Sequence, residues 1–457
     1  MRATAVWRLA FWSLAVAALS PLIALWLTHR LFIKRKPMVM LWAKLTGCGQ
    51  VYAPGSILVH GVSLGEVNLM RPLIPALEAA TGSRCLPTTS TATGWEQLGK
   101  LFAAQARDVP AQARDVPTQA RDIPAQARDV PDRPREALPI DLPWAVARFL
   151  DRTRPRALVL LELEVWPVLL TACAARGIPV LLVNARVSEA SFRQYRRAAP
   201  LFRPLFAKLD LALAQNGTWG ARLRALGVPP DRVQVSGSMK ADMVRVASPE
   251  AAATEAARLG LDRRPLLLIA STSESEEERI LEGNLVAWAA RGWQIVVCAR
   301  HPERGAALAE LASTLGGTAT QSSQGGRLPA GPGYVVVDEI GRLGALYGWC
   351  AATGGIAVVG GSLGSGRGGQ NMLEPAAAGC CTVVGWDTRN FPDAMALLRG
   401  TRGVVELAQD GIATGLEELS TDPNRRAAVG VGGKAAWIAG QGATARAVAA
   451  VARTLAR

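Results

Sequence analysis

From residue 56 onward the chain alternates short continuous apolar runs with longer segments whose apolar positions recur at helical spacing. Runs at 57–60, 157–162, 180–184, 211–215, 266–270, 295–300, 334–338 and 357–361 have the length and continuity of strands buried on both faces, and several end in polar residues. Segments 67–81 and 276–291 carry the helical period between them. Strand and helix in regular alternation predict doubly wound α/β domains, with reactive groups gathered at the carboxyl ends of the strands. A new strand-helix series begins at residue 266, which places a boundary near 237–249.

Two stretches break this alternation. Residues 9–27 are almost uninterruptedly apolar, long enough to enter a hydrocarbon core of roughly 30 Å. Arg2 and Arg8 precede the run, Arg30, Lys34, Arg35 and Lys36 follow it, and no acidic residue occurs before Glu66. The heavier positive flank predicts a membrane anchor with the rest of the chain on the cytoplasmic side. Pro21 and the continuing apolar residues argue against the alternative, a cleavable leader at 18–20. Residues 104–131 read AQARDVP, AQARDVP, TQARDIP, AQARDVP. A proline closing every heptad blocks a continuous helix, so this reads as a low-complexity insertion into the first domain. The organisation expected is an anchor at 1–36, a first domain at 37–236, a second at 237–435 and a terminal helix at 436–457.

Composition narrows the chemistry. The chain of 457 residues is long enough for two cores, and its net charge of +14 fits nucleic acid, anionic lipid or a phosphorylated small molecule. Seven scattered cysteines without a CxxC pair, and three distant histidines, give neither a disulfide framework nor a metal-binding pattern. No cofactor or metal is expected.

Candidate residues follow the strands. In 60-HGVSLGE-66 a small-residue turn joins a strand to a helix expected from Val67. Glu66 is then either an ordinary helix-start residue or a carboxylate placed for chemistry. In 161-LELEVWP-167 the period of two puts Glu162 and Glu164 on one face at a strand end, either as a reactive pair or as salt-bridged loop residues. The segment 184–197 holds Asn184, Arg186 and Ser188, then Arg193, Arg196 and Arg197, either a solvated helix face or a seat for an anionic headgroup or phosphorylated acceptor. Lys240 in 237-GSMKAD-242, and Arg300 and His301 in 299-ARHPER-304, are cations at strand ends, suited to a phosphate or simply exposed. The loop 360-GGSLGSGRGGQNMLEPAAAG-379 leads into a helix expected from about Asn371, with Glu374 in its first turns. It reads either as glycine-rich packing or as backbone N–H groups around a nucleotide phosphate.

Together with TTSTATG at 88–94, ASTSESEEE at 270–278 and DEIGRLGALY at 338–347, these segments resemble, in order, the motifs of the 3-deoxy-D-manno-octulosonic acid (Kdo) transferases, over residues 56–399. The resemblance implies a GT-B fold: two Rossmann-like doubly wound domains facing across a cleft, with an N-terminal membrane-anchor helix at the inner membrane. It implies transfer of Kdo from CMP-Kdo to a phosphorylated lipid A precursor, with membrane lipids and no nucleic acid as partners. By the resemblance Glu66 is the general base, and Glu162 and Lys240 stabilise the transition state. Ala299 and Arg300, then Ile340, Gly341 and Arg342, then Asn371, Met372, Leu373 and Glu374 hold CMP. Ala299 stands where the family usually has proline, Arg342 where it has glutamate, Gln370 where it has histidine and Met372 where it has proline. Two other readings remain compatible with the residues: a transferase of another nucleotide sugar, such as a UDP-linked one, and a membrane-anchored binding protein that has lost catalysis.

Overall fold

The computed structural model describes residues 39–107, 134–273, 275–281, 285–364 and 366–457. The expected anchor, and the repeated heptads beyond Arg107, lie outside the described residues. Among the described residues no helix is long and apolar enough to cross a membrane. The chain forms two compact units, one running to Met239 and regaining Gly442–Arg457, the other Lys240–Gln441.

The first unit is built on seven strands: β1 (Ile57–His60), β2 (Cys85–Thr89), β3 (Glu136–Ala137), β4 (Ala157–Leu161), β5 (Val180–Ala185), β6 (Leu211–Ala214) and β7 (Val233–Val235). They lie in the order β3-β2-β1-β4-β5-β6-β7, and every pairing is parallel. From β1 the chain moves outward to β2 and β3, then returns to lay β4 on the other side of β1. The strand order therefore reverses between β1 and β4, where the crossovers part and leave a crevice at the carboxyl ends. His60 and Leu160 are register partners there, so the residues following each strand emerge side by side.

Two expectations are modified in this unit. The helix expected from Val67 starts earlier, as Leu64–Thr81, because Ser63 caps it and takes the N–H of Glu66. The strand expected through residue 162 stops at Leu161, since Glu162 has φ 60°. That left-handed turn ends the alternation of faces, so Glu162 and Glu164 do not share a face by strand periodicity.

The second unit repeats the architecture with β8 (Leu266–Thr272), β9 (Gln294–Ala299), β10 (Thr318–Gln321), β11 (Gly333–Val336), β12 (Ile356–Val359), β13 (Cys381–Val384) and β14 (Val405–Glu406). The order is β10-β11-β9-β8-β12-β13-β14, again parallel throughout, and it reverses between β8 and β12. Leu267 and Ile269 enter one core, and Leu266, Leu268 and Ala270 enter the core on the other face, so β8 is apolar from Leu266 to Ala270. The expected helix 276–291 is found as Glu276–Leu281 and Leu285–Ala290, with 282–284 outside the described residues. The expected single terminal helix is two: Pro423–Gly440 ends the second unit, and Ala443–Leu455 packs on Leu64–Thr81 of the first. Gly442, at φ 81°, makes the break.

One buried ion pair ties the start of the first unit together. Arg152, in the helix Pro143–Thr153, donates to both oxygens of Glu136 at 2.9 and 2.7 Å, and also to the carbonyls of Gly47 and Gln50. Tyr52 donates its hydroxyl to the same carboxylate at 2.7 Å. Removing one partner of such a pair leaves an uncompensated buried charge. Arg152→Ala is expected to cost about 3–5 kcal/mol, read as a lowered denaturation midpoint.

Candidate active site

In the first unit the reversal between β1 and β4 is lined with carboxylates. The small residues Gly61 to Ser63 turn the chain from β1 into the helix Leu64–Thr81, and Glu66 sits in its first turn, buried. Val62 donates its N–H to Glu66 Oε2 at 2.7 Å, and Ser63 donates its hydroxyl to Oε1 at 2.6 Å. The serine oxygen in turn accepts the N–H of Glu66 at 3.2 Å, a capping-box relation that fixes the carboxylate on its own turn. Thr91 ties this turn to the helix Ala92–Arg107 by donating to the carbonyl of Val62 at 2.7 Å. Burial raises the pKa of Glu66, against the hydrogen bonds from Ser63 and Val62 that lower it, and the charge of Glu162 raises it further.

Across the reversal, Glu162 follows β4 with its N–H on the carbonyl of Val183 at 3.0 Å. Two residues on, Glu164 accepts the indole N–H of Trp166 at 2.8 Å. Burial, and next the charge of Glu66, push the carboxyl of Glu164 up to about 7, with a smaller addition from Glu162 and the Trp166 hydrogen bond opposing. Asp141 anchors the segment by accepting the N–H groups of Val168 and Leu169 at 2.9 and 2.8 Å, which starts the helix Pro167–Ala175 directly after Trp166. Glu164, weighed from the sequence only as the companion of Glu162, is thus the most perturbed carboxyl at this crevice. The signal that could have found it is the tryptophan two positions later in LELEVWP.

His60 closes β1 fully buried, its Nδ1 2.9 Å from Thr88 Oγ1 and its ring edge-on to Trp166 at 6.3 Å. Burial lowers its pKa to about 3, so the imidazole is neutral and serves as packing under the carboxylates. The basic run forms the helix Glu189–Arg197, capped by Ser188 and without a buried residue. Arg193, Arg196 and Arg197 line, with Glu189 and Phe192, a shallow recess of about 330 Å³.

In the second unit the sequence candidates separate. Asn371 donates to Glu374 Oε1 at 2.8 Å, and Arg300 lies near enough for its charge to act on the Glu374 carboxyl, so these three come together. Burial dominates there and raises the pKa of Glu374, while Asn371 and Arg300 pull it down. Arg304 of the same ARHPER motif is engaged elsewhere, bidentate on buried Glu277 at 2.6 and 3.1 Å. Arg342 is drawn into a network with Glu339 and Glu255 at 3.1 and 3.5 Å, shared with Arg258, beneath exposed Ile340 and Gly341 at φ 90°. Met372 and Leu373 are buried in the core, and Ala299 packs against the core cluster, so only their backbone is placed to meet a ligand. Lys240 opens the unit, directly before the short turn Ala241–Met243.

The glycine loop is bonded internally at five of its N–H groups. Gly361 and Leu363 donate to Glu276, Gly368 to Asp387, Gly369 to the carbonyl of Gly361 and Gln370 to that of Gly360. These N–H groups are spent within the protein and do not cradle a phosphate. Sequence reasoning assigned nothing to Glu276.

A family model described as 3-deoxy-D-manno-octulosonic-acid transferase (kdotransferase) matches residues 34–243. The 3-deoxy-D-manno-octulosonic acid transferase of Bordetella pertussis is 35% identical over 448 residues, 95% of this chain and 96% of that protein. This chain belongs to the Kdo transferase family. The namesake protein of Haemophilus influenzae is 27% identical over 86% of both chains. Anabaena Alr3699/HepE, solved in complex with UDP, is 10% identical with a TM-score of 0.50, over 88% of this chain and all of that one, a likeness of fold. The Kdo transferase described here is accordingly a glycosyltransferase with two parallel-sheet α/β domains of the GT-B type.

Glu164 binds a proton more tightly folded than unfolded, between its ordinary 4.5 and about 7. Its contribution to stability is full below 4.5 and is lost as pH rises through 7. Glu164→Gln, which stays neutral, is therefore expected to gain on the native chain by on the order of 1 kcal/mol more at pH 8 than at pH 5 once solvent screening is allowed for, measured by thermal denaturation at both pH values.

Proposed function

We propose that this glycosyltransferase moves Kdo from CMP-Kdo to a phosphorylated lipid A precursor with inversion, and that Glu66 is its general base. The observation that carries the reading is the setting of Glu66: a buried carboxylate with a raised pKa, held by Val62 and Ser63 at the strand-order reversal of the first unit. A base needs both a fixed position and more basicity than a solvated glutamate has, and these contacts and this burial supply both. Glu66 takes the proton of an acceptor sugar hydroxyl as that oxygen attacks the anomeric carbon of Kdo and the bond to CMP breaks. Glu162 offers negative charge to the oxocarbenium-like sugar.

The leaving group is a nucleoside monophosphate, and side-chain cations supply its counter-charge in this reading. Arg300, beside Asn371 and Glu374, takes the phosphate side, with Lys240 as a second cation and Glu374 available to ribose hydroxyls. The arginines of the exposed helix Glu189–Arg197 suit the phosphates of the acceptor. The apolar run at 9–27, with its heavier positive flank after it, supports attachment to the inner membrane with both units on the cytoplasmic side.

The test is incubation with CMP-Kdo and a tetraacylated lipid A precursor, with products read by mass. Glu66→Gln is expected to lower kcat by about 10²–10⁴-fold while CMP-Kdo binding persists. Undiminished turnover by that variant removes Glu66 as the base, and turnover with a UDP-sugar in place of CMP-Kdo removes the donor.

A further inference from the structure

The crevice of the second unit is filled by a residue of the ASTSESEEE segment to which the sequence assigned no role. Its place is the reversal between β8 and β12, where open α/β sheets receive ligands at the strand ends and where backbone N–H groups commonly take up phosphates. Here Glu276, fully buried, projects between the two strand ends. Its Oε2 accepts the N–H of Ser273, just past β8, at 2.8 Å, and that of Gly361, just past β12, at 2.7 Å. Its Oε1 accepts the N–H of Leu363 at 2.9 Å. The carboxylate is thus bound as an anion would be, by converging backbone donors from both sides of the reversal.

Two consequences follow for a nucleotide. The backbone N–H groups of Ser273, Gly361 and Leu363, placed to hold a phosphate deep in the crevice, are already satisfied by the chain. A phosphate pressed inward would meet a carboxylate, which carries acceptors and no donor. The cation near Asn371 and Glu374 is Arg300, and it offers a different means of holding a single phosphate.

We propose that Glu276 is a specificity-determining residue that occupies the position of the second phosphate of a nucleoside diphosphate, and so restricts the donor to a nucleoside monophosphate ester. The inference rests on the reading that this unit holds CMP. It is a discrimination by exclusion: the correct donor gains nothing from Glu276, and the incorrect one loses its phosphate seat and meets like charge. Glu276 acts through the loop backbone and the space it fills, not by touching the sugar.

CMP and CDP share base and ribose and differ by the phosphate in question. Titration calorimetry on the full chain is expected to give at least about tenfold tighter binding of CMP than of CDP, a difference of about 1.4 kcal/mol. Glu276→Ala, which empties the seat and frees the N–H groups of Ser273, Gly361 and Leu363, is expected to bring that ratio down toward unity mainly by strengthening CDP, an effect that general loosening of the fold would not produce. Equal affinity of the native chain for CMP and CDP overturns the proposal without any variant. A ratio unchanged in folded Glu276→Ala, as judged by near-UV circular dichroism, overturns it as well. If CMP fails to bind the native chain, the donor reading falls and this inference with it, whereas CMP binding with CDP undiscriminated leaves the donor reading standing.

Discussion

The central strands of a parallel sheet covered on both faces have no room for a charged side chain, and that constraint orders the sites of both units. β1, β4 and β12 are buried from end to end, and β8 at every residue but Ser271, so polar chemistry is confined to the residues at and past each carboxyl end. Glu66, Glu162 and Glu164 stand there in the first unit, and Glu276, Arg300 and Glu374 in the second. At those ends the backbone bends out of regular geometry: Glu162 at φ 60°, Asn184 at φ 56° and Ser271 at φ 56° are all left-handed. Glu162 ends β4, while Asn184 and Ser271 mark register shifts after which β5 and β8 pair for one more residue, and Asn184 in addition accepts the N–H of Met239 at 3.0 Å.

The same constraint explains what could be read from the chain alone. Strands buried on both faces are continuous apolar runs, so β1, β4, β5, β8, β9 and β12 were legible. β2 was not, because Pro87, Thr88 and Thr89 interrupt its pattern although every one of its residues is buried. Proline is admitted there because β3 is so short that it pairs only with Thr88 and Thr89, leaving no ladder for Pro87 to break on that side. β10 was hidden for another reason: its residues are half-exposed and polar. The candidate positions were legible as residue types at strand ends, but not their partners. Whether Arg300 or Arg304 reaches an acidic side chain, and which one, depends on contacts between segments far apart in sequence.

The two units hold carboxylates at the same topological position and treat them differently. Glu66 and Glu164 have burial as the dominant influence, with hydrogen bonds only partly offsetting it, and both are pushed toward holding a proton. Glu276 accepts three backbone N–H groups and serves as an internal counterpart to the loop it binds. Glu66 is held from its own turn, whereas Glu276 spends both oxygens on backbone donors of the loops past β8 and β12.

The return of the chain to the first unit at Gly442 makes the second unit an insert rather than a successor. Residues 240–441 are framed by segments that both belong with Glu66, and the helix Ala443–Leu455 lies against the very helix whose first turn carries that residue. Arg446 donates to the carbonyl of Ser236 at 2.8 Å and Arg156 to that of Leu455 at 2.7 Å, so entry and exit are fastened to the same body. A cut after Gln441 would therefore leave the second unit whole in sequence and strip the support from the carboxylates of the first instead.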